Sequence, residues 1–189
     1  MCSICGIFDL DGKGCNIDKM NKSLRHRGPD NSGFYVCGGV CLGHNRLPVM
    51  DLENGAQPMS AEYNGKKYTT VYNGEIYNSD ELKKELKRYN ITPKTKCDTE
   101  LVLWSYIIFG DDCPKKLNGI FSFCIFCEGE DFIFLARDRF GIKPLFYTEK
   151  DGKFRQKGNV RCGRTGFPFR HRLKGNPGVC RQFLLGQSA

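Results

Sequence analysis

Cys2 is the residue on which chemistry could centre. Once Met1 is removed, which the small following side chain favours, Cys2 carries both a thiol and a free α-amino group. A thiol attacks carbon only when deprotonated, and an α-amino group titrating at roughly 7.7–8 is suited to take that proton. Nucleophile and base would then belong to one residue. Any chain can begin Met-Cys, so the assignment depends on what the rest of the sequence supplies.

Three further positions offer groups for such a nucleophile. Arg46, at the end of an apolar stretch, can form a bidentate fork with a carboxylate, either a structural Asp or the α-carboxylate of a substrate; the residue alone favours the structural pair. Asn73-Gly74 is the commonest hairpin-turn dipeptide, and read alone it is a turn. The sharper reading is an oxyanion hole, in which an Asn amide and the adjacent Gly N–H converge on one developing oxyanion. Asp98 precedes a strongly apolar segment, where it would act as a helix N-cap or bind a substrate ammonium. Two CxxC pairs, Cys2/Cys5 and Cys124/Cys127, invite a zinc reading, but residues three apart on a strand point to opposite faces, so no metal is expected.

The elements that would hold these groups follow from periodicity. Ile4 to Asp9 reads as a short buried strand that fixes Cys2 at a sheet end. Ile17, Met20 and Leu24 have amphipathic helical spacing within 16–25. The polar run 25–33 reads as an ordered turn, followed by a hairpin across Gly38 and Gly39. Residues 55–59 read as a loop and Tyr68 to Tyr72 as a strand. Ser79 is expected to cap a helix bearing Leu82, Leu86 and Tyr89, and a buried helix is expected from Asp98 to about Ile108, closed by Gly110. Leu117 to Cys127 and Phe132 to Ala136 read as a hairpin, and residues 136–147 carry a polar turn into another short strand.

Composition bounds the classes. A chain of 189 residues can bury one sizeable core, and no run of eighteen apolar residues appears. No secretory signal is recognisable, so the expectation is a cytoplasmic chain whose 11 cysteines are reduced thiols. The net charge of +8 is unevenly spread: residues 1–149 hold 19 Lys or Arg against 20 Asp or Glu, whereas 150–189 hold 10 against the single Asp151. The body is near neutral and the end is strongly basic.

Taken in order, CSICG, RHRGPD, HNRLPVMD, GAQPM, NGEIYN, CDTE and ARDRFGIKPLFY resemble the class II glutamine amidotransferase domain of glutamine-hydrolysing asparagine synthetases. The resemblance covers residues 1 to about 150. It implies an α+β fold, the four-layer αββα sandwich of N-terminal nucleophile hydrolases, and hydrolysis of glutamine to glutamate and ammonia through a cysteinyl thioester. Carried over motif by motif, Cys2 is the nucleophile, Asn73 and Gly74 form the oxyanion hole, and Arg46 holds the glutamine α-carboxylate. Glu75 and Asp98 grip its α-ammonium, and the backbone at Leu47 and Val49 lines the pocket. Ser3 stands where the family often has glycine.

The implied partner is L-glutamine, with a separate synthetase subunit as a conceivable receiver of the ammonia. Neither a membrane nor nucleic acid is expected as a partner, and the glutaminase half-reaction needs no cofactor. ATP and Mg would belong to the synthetase (ATP pyrophosphatase) domain, whose SGGxDS loop this sequence lacks. Residues 1–154 are therefore expected to form the glutaminase domain, truncated before the synthetase domain. Residues 155–189, rich in Arg, Gly and Pro, are expected to be a disordered basic tail outside the family pattern. The competing class is a catalytically silent relative that acts as a binding or regulatory module, in one version through that tail on RNA.

Overall fold

The computed structural model describes residues 2–9, 16–47, 51, 53–130, 132–151, 169–172 and 179–184. β1 (Ser3–Asp9) starts directly after Cys2 and pairs with β3 (Val40–Arg46), which returns from β2 (Asn31–Cys37) through Gly38 and Gly39. Both glycines have positive φ, 54° and 83°, the backbone that a two-residue hairpin turn demands. With β8 (Phe146–Asp151) and β10 (Val179–Leu184) these strands form an antiparallel sheet in the order β2-β3-β1-β10-β8. The second antiparallel sheet runs β4 (Met59–Tyr63), β5 (Lys66–Ile76), β6 (Gly119–Cys127), β7 (Phe132–Arg137) and β9 (Phe169–Arg172).

The period-two alternation of the strands divides the apolar side chains among three clusters. Ile4, Phe8, Val40 and Leu42 of the first sheet share one cluster with Val71, Cys124, Phe126, Ile133 and Leu135 of the second. Cys5, Ile7 and Cys41, on the alternate positions of β1 and β3, pack with Ile17 of α1 (Ile17–Ser23) and with Leu24. Tyr72, Ile76, Phe121, Phe123 and Phe134 pack with Leu82 of α2 (Ser79–Lys87) and with Val102, Leu103 and Tyr106 of α3 (Asp98–Phe109). Each fully buried Leu, Ile or Phe contributes roughly 1.5–3 kcal/mol, which is what fixes the position of the strand ends.

Several expectations change. Asn73-Gly74 is not a turn: β5 continues through it, with Asn73 opposite Ser122 and Gly74 opposite Phe121. A Cβ at Gly74 would collide with the Ile120 carbonyl, so close strand approach is what glycine provides there. The Asn-Gly pair that does turn is Asn64-Gly65, with φ of 49° and 73° between β4 and β5. Ser79 does not cap α2; its hydroxyl donates to the Ile76 carbonyl at 3.0 Å and to Asp98 Oδ1 at 3.3 Å. Asp98 does stand next to the N-cap as expected, being the first residue of α3 after Cys97. Against the expectation of reduced thiols throughout, Cys41 is disulfide-bonded, whereas Cys2, Cys5, Cys37, Cys97, Cys113, Cys124 and Cys127 are free.

The expectation of a disordered tail over 155–189 is corrected at two places. Phe169–Arg172 pairs with β7, and Val179–Leu184 lies between β1 and β8. Strand pairing with an existing edge gives these segments an order that their own composition does not specify. The remaining residues of that span lie outside the described residues.

Candidate active site

Cys2, Arg46, Leu47, Gly74, Glu75 and Asp98 line one cavity of about 310 Å³. Asn73 is buried directly beside it, and Val49 lies outside the described residues. Residues scattered over the first hundred positions meet here because β1 and β3 are adjacent and antiparallel, while β5 ends against the start of α3.

Register sets the Cys2 side. Ser3 lies opposite Asn45, so Cys2 stands beside the Arg46–Leu47 end of β3. Leu47 brackets the sulfur: its N–H donates to Cys2 Sγ at 3.4 Å, and Cys2 Sγ–H donates to its carbonyl at 3.5 Å. Behind that pair lies a buried polar knot. Asn45 Nδ2 donates to Ser3 Oγ at 3.1 Å, to the Asn21 carbonyl at 2.8 Å and to Asn21 Oδ1 at 3.0 Å. Ser3 Oγ donates to the Leu24 carbonyl at 3.3 Å, and Ser32 Oγ donates to Asn45 Oδ1 at 2.7 Å. Ser3 therefore ties the residue after Cys2 to α1 and to β3, a use that glycine could not serve.

Among the described residues, Arg46 forms no salt bridge with an Asp carboxylate. Its Nη2 donates to the Asp51 backbone carbonyl at 2.6 Å, while the Asp51 carboxylate accepts from Asn54 and from the Lys96 N–H at 2.9 Å. Those bonds hold the Asp51 carboxyl below its ordinary range. A side chain at Gly55 would press on the guanidinium, so glycine there leaves Arg46 its present position.

On the opposite wall, Asp98 Oδ2 accepts from the Ile76 N–H at 2.8 Å and so joins α3 to the end of β5. Burial raises the Asp98 carboxyl above the usual range, the Glu75 charge adds to that, and the Ile76 and Ser79 hydrogen bonds oppose it. Gln57 braces the floor: its Oε1 accepts from the Tyr72 N–H at 2.6 Å, and its Nε2 donates to Thr99 Oγ1 at 3.0 Å. Gln57, Tyr72, Ile76, Tyr77, Cys97 and Thr99 also line the cavity, and sequence reasoning assigned none of them a role there. The GAQPM motif was the available signal for Gln57; nothing in the sequence marked Tyr72.

Chemically the cavity offers a thiol, a guanidinium and two carboxylates around a largely apolar floor. That set suits a zwitterionic substrate presented to a nucleophile. Among the described residues no group of three His, Cys, Asp or Glu is arranged to hold a metal ion. No described helix is long and apolar enough to cross a membrane.

The model of the glutamine amidotransferase domain family matches residues 1–161. The chain is 43% identical over 158 residues to asparagine synthetase [glutamine-hydrolyzing] 3 of Bacillus subtilis, covering 82% of this chain and 26% of that protein. It is 41% identical over 174 residues to a putative asparagine synthetase of Methanocaldococcus jannaschii, covering 82% of this chain and 33% of the relative. The chain thus spans only about a quarter to a third of the length of these relatives. Among solved structures, the allosteric regulatory enzyme of purine biosynthesis superposes with a TM-score of 0.67 at 18% identity, over 97% of this chain and 41% of that one. At that identity the likeness concerns the fold.

Proposed function

The chain belongs to the class II glutamine amidotransferase family, related to the N-terminal domains of asparagine synthetases, and from this premise we propose that it hydrolyses glutamine to glutamate and ammonia. The observation that carries the reading is the single cavity shared by Cys2, Arg46, Gly74, Glu75 and Asp98. The three buried clusters support a layer order of helix, sheet, sheet, helix, with the cavity at the strand ends.

Arg46 takes the α-carboxylate of glutamine, and Glu75 and Asp98 take its α-ammonium, which directs the side-chain amide toward Cys2. The freed α-amino group of Cys2 accepts the thiol proton as sulfur bonds to the amide carbon. The carbonyl oxygen becomes an oxyanion that Asn73 and Gly74 stabilise as hydrogen-bond donors. Collapse of the tetrahedral species breaks the C–N bond, and the proton returns to the leaving nitrogen, giving ammonia and a γ-glutamyl thioester. Water then attacks the thioester, releases glutamate and restores the thiol. Every step uses this chain's own groups.

The test is glutamate release from glutamine by the purified protein, abolished in Cys2→Ala, together with mass spectrometry of the mature N-terminus. We expect Met1 to be absent. Full activity in Cys2→Ala would overturn the assignment, as would an active protein that retains Met1, whose amide nitrogen could not act as the base.

A further inference from the structure

We propose that the Tyr72 hydroxyl is a third acceptor for the α-ammonium of the bound amino acid, beside the Glu75 and Asp98 carboxylates, and so selects for substrates that carry that group. This rests on the glutamine reading of the cavity.

Tyr72 lies in β5, one residue before Asn73, and is only 4% exposed. Its backbone N–H is held by Gln57, its ring joins the cluster beneath α3, and it forms part of the cavity lining. Its hydroxyl is buried and has no hydrogen-bond partner among the described residues. Buried polar groups without partners are uncommon, and each calls for an explanation. Phenylalanine would fill the same volume without that penalty, so packing alone does not account for a hydroxyl here.

The surroundings indicate which ligand group it meets. Asp98 and Glu75 are the foremost charges acting on this phenol, followed by Cys2, and burial with these charges keeps it protonated far above its ordinary range. A neutral, unpartnered hydroxyl in a cavity whose lining also holds Glu75 and Asp98 suits a cationic donor. An α-ammonium has three N–H bonds, and two carboxylates with one hydroxyl supply three acceptors around it. Of the other buried side-chain atoms without partners, Arg27 Nε, His44 Nε2 and Ser105 Oγ, none belongs to a residue lining this cavity.

Tyr72→Phe removes one oxygen and keeps the ring. The experiment compares it with the parent protein for three quantities: KM for L-glutamine, the inhibition constant of glutaramate, which is glutamine without its α-amino group, and the melting temperature. We expect KM to rise about tenfold, the glutaramate constant to stay unchanged and the melting temperature not to fall. An unchanged KM with a higher melting temperature would overturn the proposal, because the hydroxyl would then be only an unsatisfied core atom. Equal weakening of both ligands would also overturn it, since that reports general loss of pocket shape. If instead the parent protein releases no glutamate from glutamine and glutamine does not shield Cys2 from iodoacetamide, the reading of the cavity fails and this proposal falls with it. Cys2-dependent hydrolysis with an unaltered KM in Tyr72→Phe sinks the Tyr72 role alone.

Discussion

Arg46 and Asp98 occupy opposite walls of the cavity, and they separate recognition from fold to different degrees. Arg46→Lys keeps the charge and loses the planar fork, so kcat/KM for glutamine should fall roughly ten- to a hundredfold while the melting temperature changes little. Asp98→Asn differs, because both carboxylate oxygens already serve the fold, one at Ile76 N–H and one at Ser79 Oγ. An amide offers one acceptor where two are used, so we expect a higher KM together with about 1–2 kcal/mol lost in denaturant unfolding. A raised KM with undiminished stability would show that the Asp98 bonds to Ile76 and Ser79 contribute little. His44 supplies a pH signature of its own. It is only 1% exposed, and desolvation, followed by the Arg46 charge, lowers its pKa from 6.5 to about 3. Between those values the unfolded chain binds the proton and the folded chain does not, so stability rises with pH across that window and is lost on acidification from about 6.5. His44→Asn should flatten the slope of unfolding free energy between pH 5 and 6.5, where an ionised histidine accounts for up to about 1.4 kcal/mol per pH unit. An identical slope in the variant would remove His44 as its source. At this scale Cys2, Arg46 and Asp98 were legible as residues that meet at one cavity, whereas Tyr72 and Gln57 enter it through their neighbours, which no local pattern encodes.

Elements were legible where a period could express itself and obscure where pairing overrode local preference. The helix read from Ile17, Met20 and Leu24 is present, begun by Asn16 Oδ1 accepting from the Lys19 N–H at 3.1 Å. The hairpin at Gly38 and Gly39 is present because both positions need positive φ. Asn73-Gly74 carries the same turn signal, yet β6 pairs with β5 across nine positions from Tyr68 to Ile76, and the ladder keeps the dipeptide extended. The buried knot at Asn45 was invisible for a related reason: its partners lie at Ser3, Asn21 and Ser32, on three other elements. Replacing Asn45 with Leu would leave Ser3, Ser32 and Asn21 each short of a partner. We expect a loss of about 3 kcal/mol in denaturant unfolding. The loss should come with slower alkylation of Cys2 by iodoacetamide, because Ser3 is the residue next to it. If stability falls while alkylation is unchanged, the knot docks α1 without positioning the nucleophile.

For the whole molecule the question is whether the basic end belongs to the fold. Its charge, 10 Lys or Arg against Asp151 over 150–189, argued for a solvated tail, and composition carried no period to contradict it. Yet Val179–Leu184 occupies the interior of the first sheet, with Cys5 to Asp9 of β1 on one side and Phe146 to Asp151 of β8 on the other. Long-range pairing of this kind depends on edges presented by the body, so it cannot be read from the segment itself. The consequence reaches the candidate site, because β1 begins directly after Cys2. Ending the chain after residue 154 would turn β1 into an edge strand and strip β8 of the partner it has in this sheet. Unpaired edges of that kind invite association between molecules. We therefore expect the 1–154 variant to melt several degrees lower than the full chain and to form larger species in size-exclusion chromatography, with reduced glutamate release per monomer. A tail that merely carries charge predicts the opposite pattern: unchanged melting and turnover, with steeply salt-dependent RNA binding lost on deletion. Matching melting temperatures and elution volumes for the two lengths would show that β10 adds nothing to the sheet, and that Cys2 is positioned by β3 and Leu47 alone.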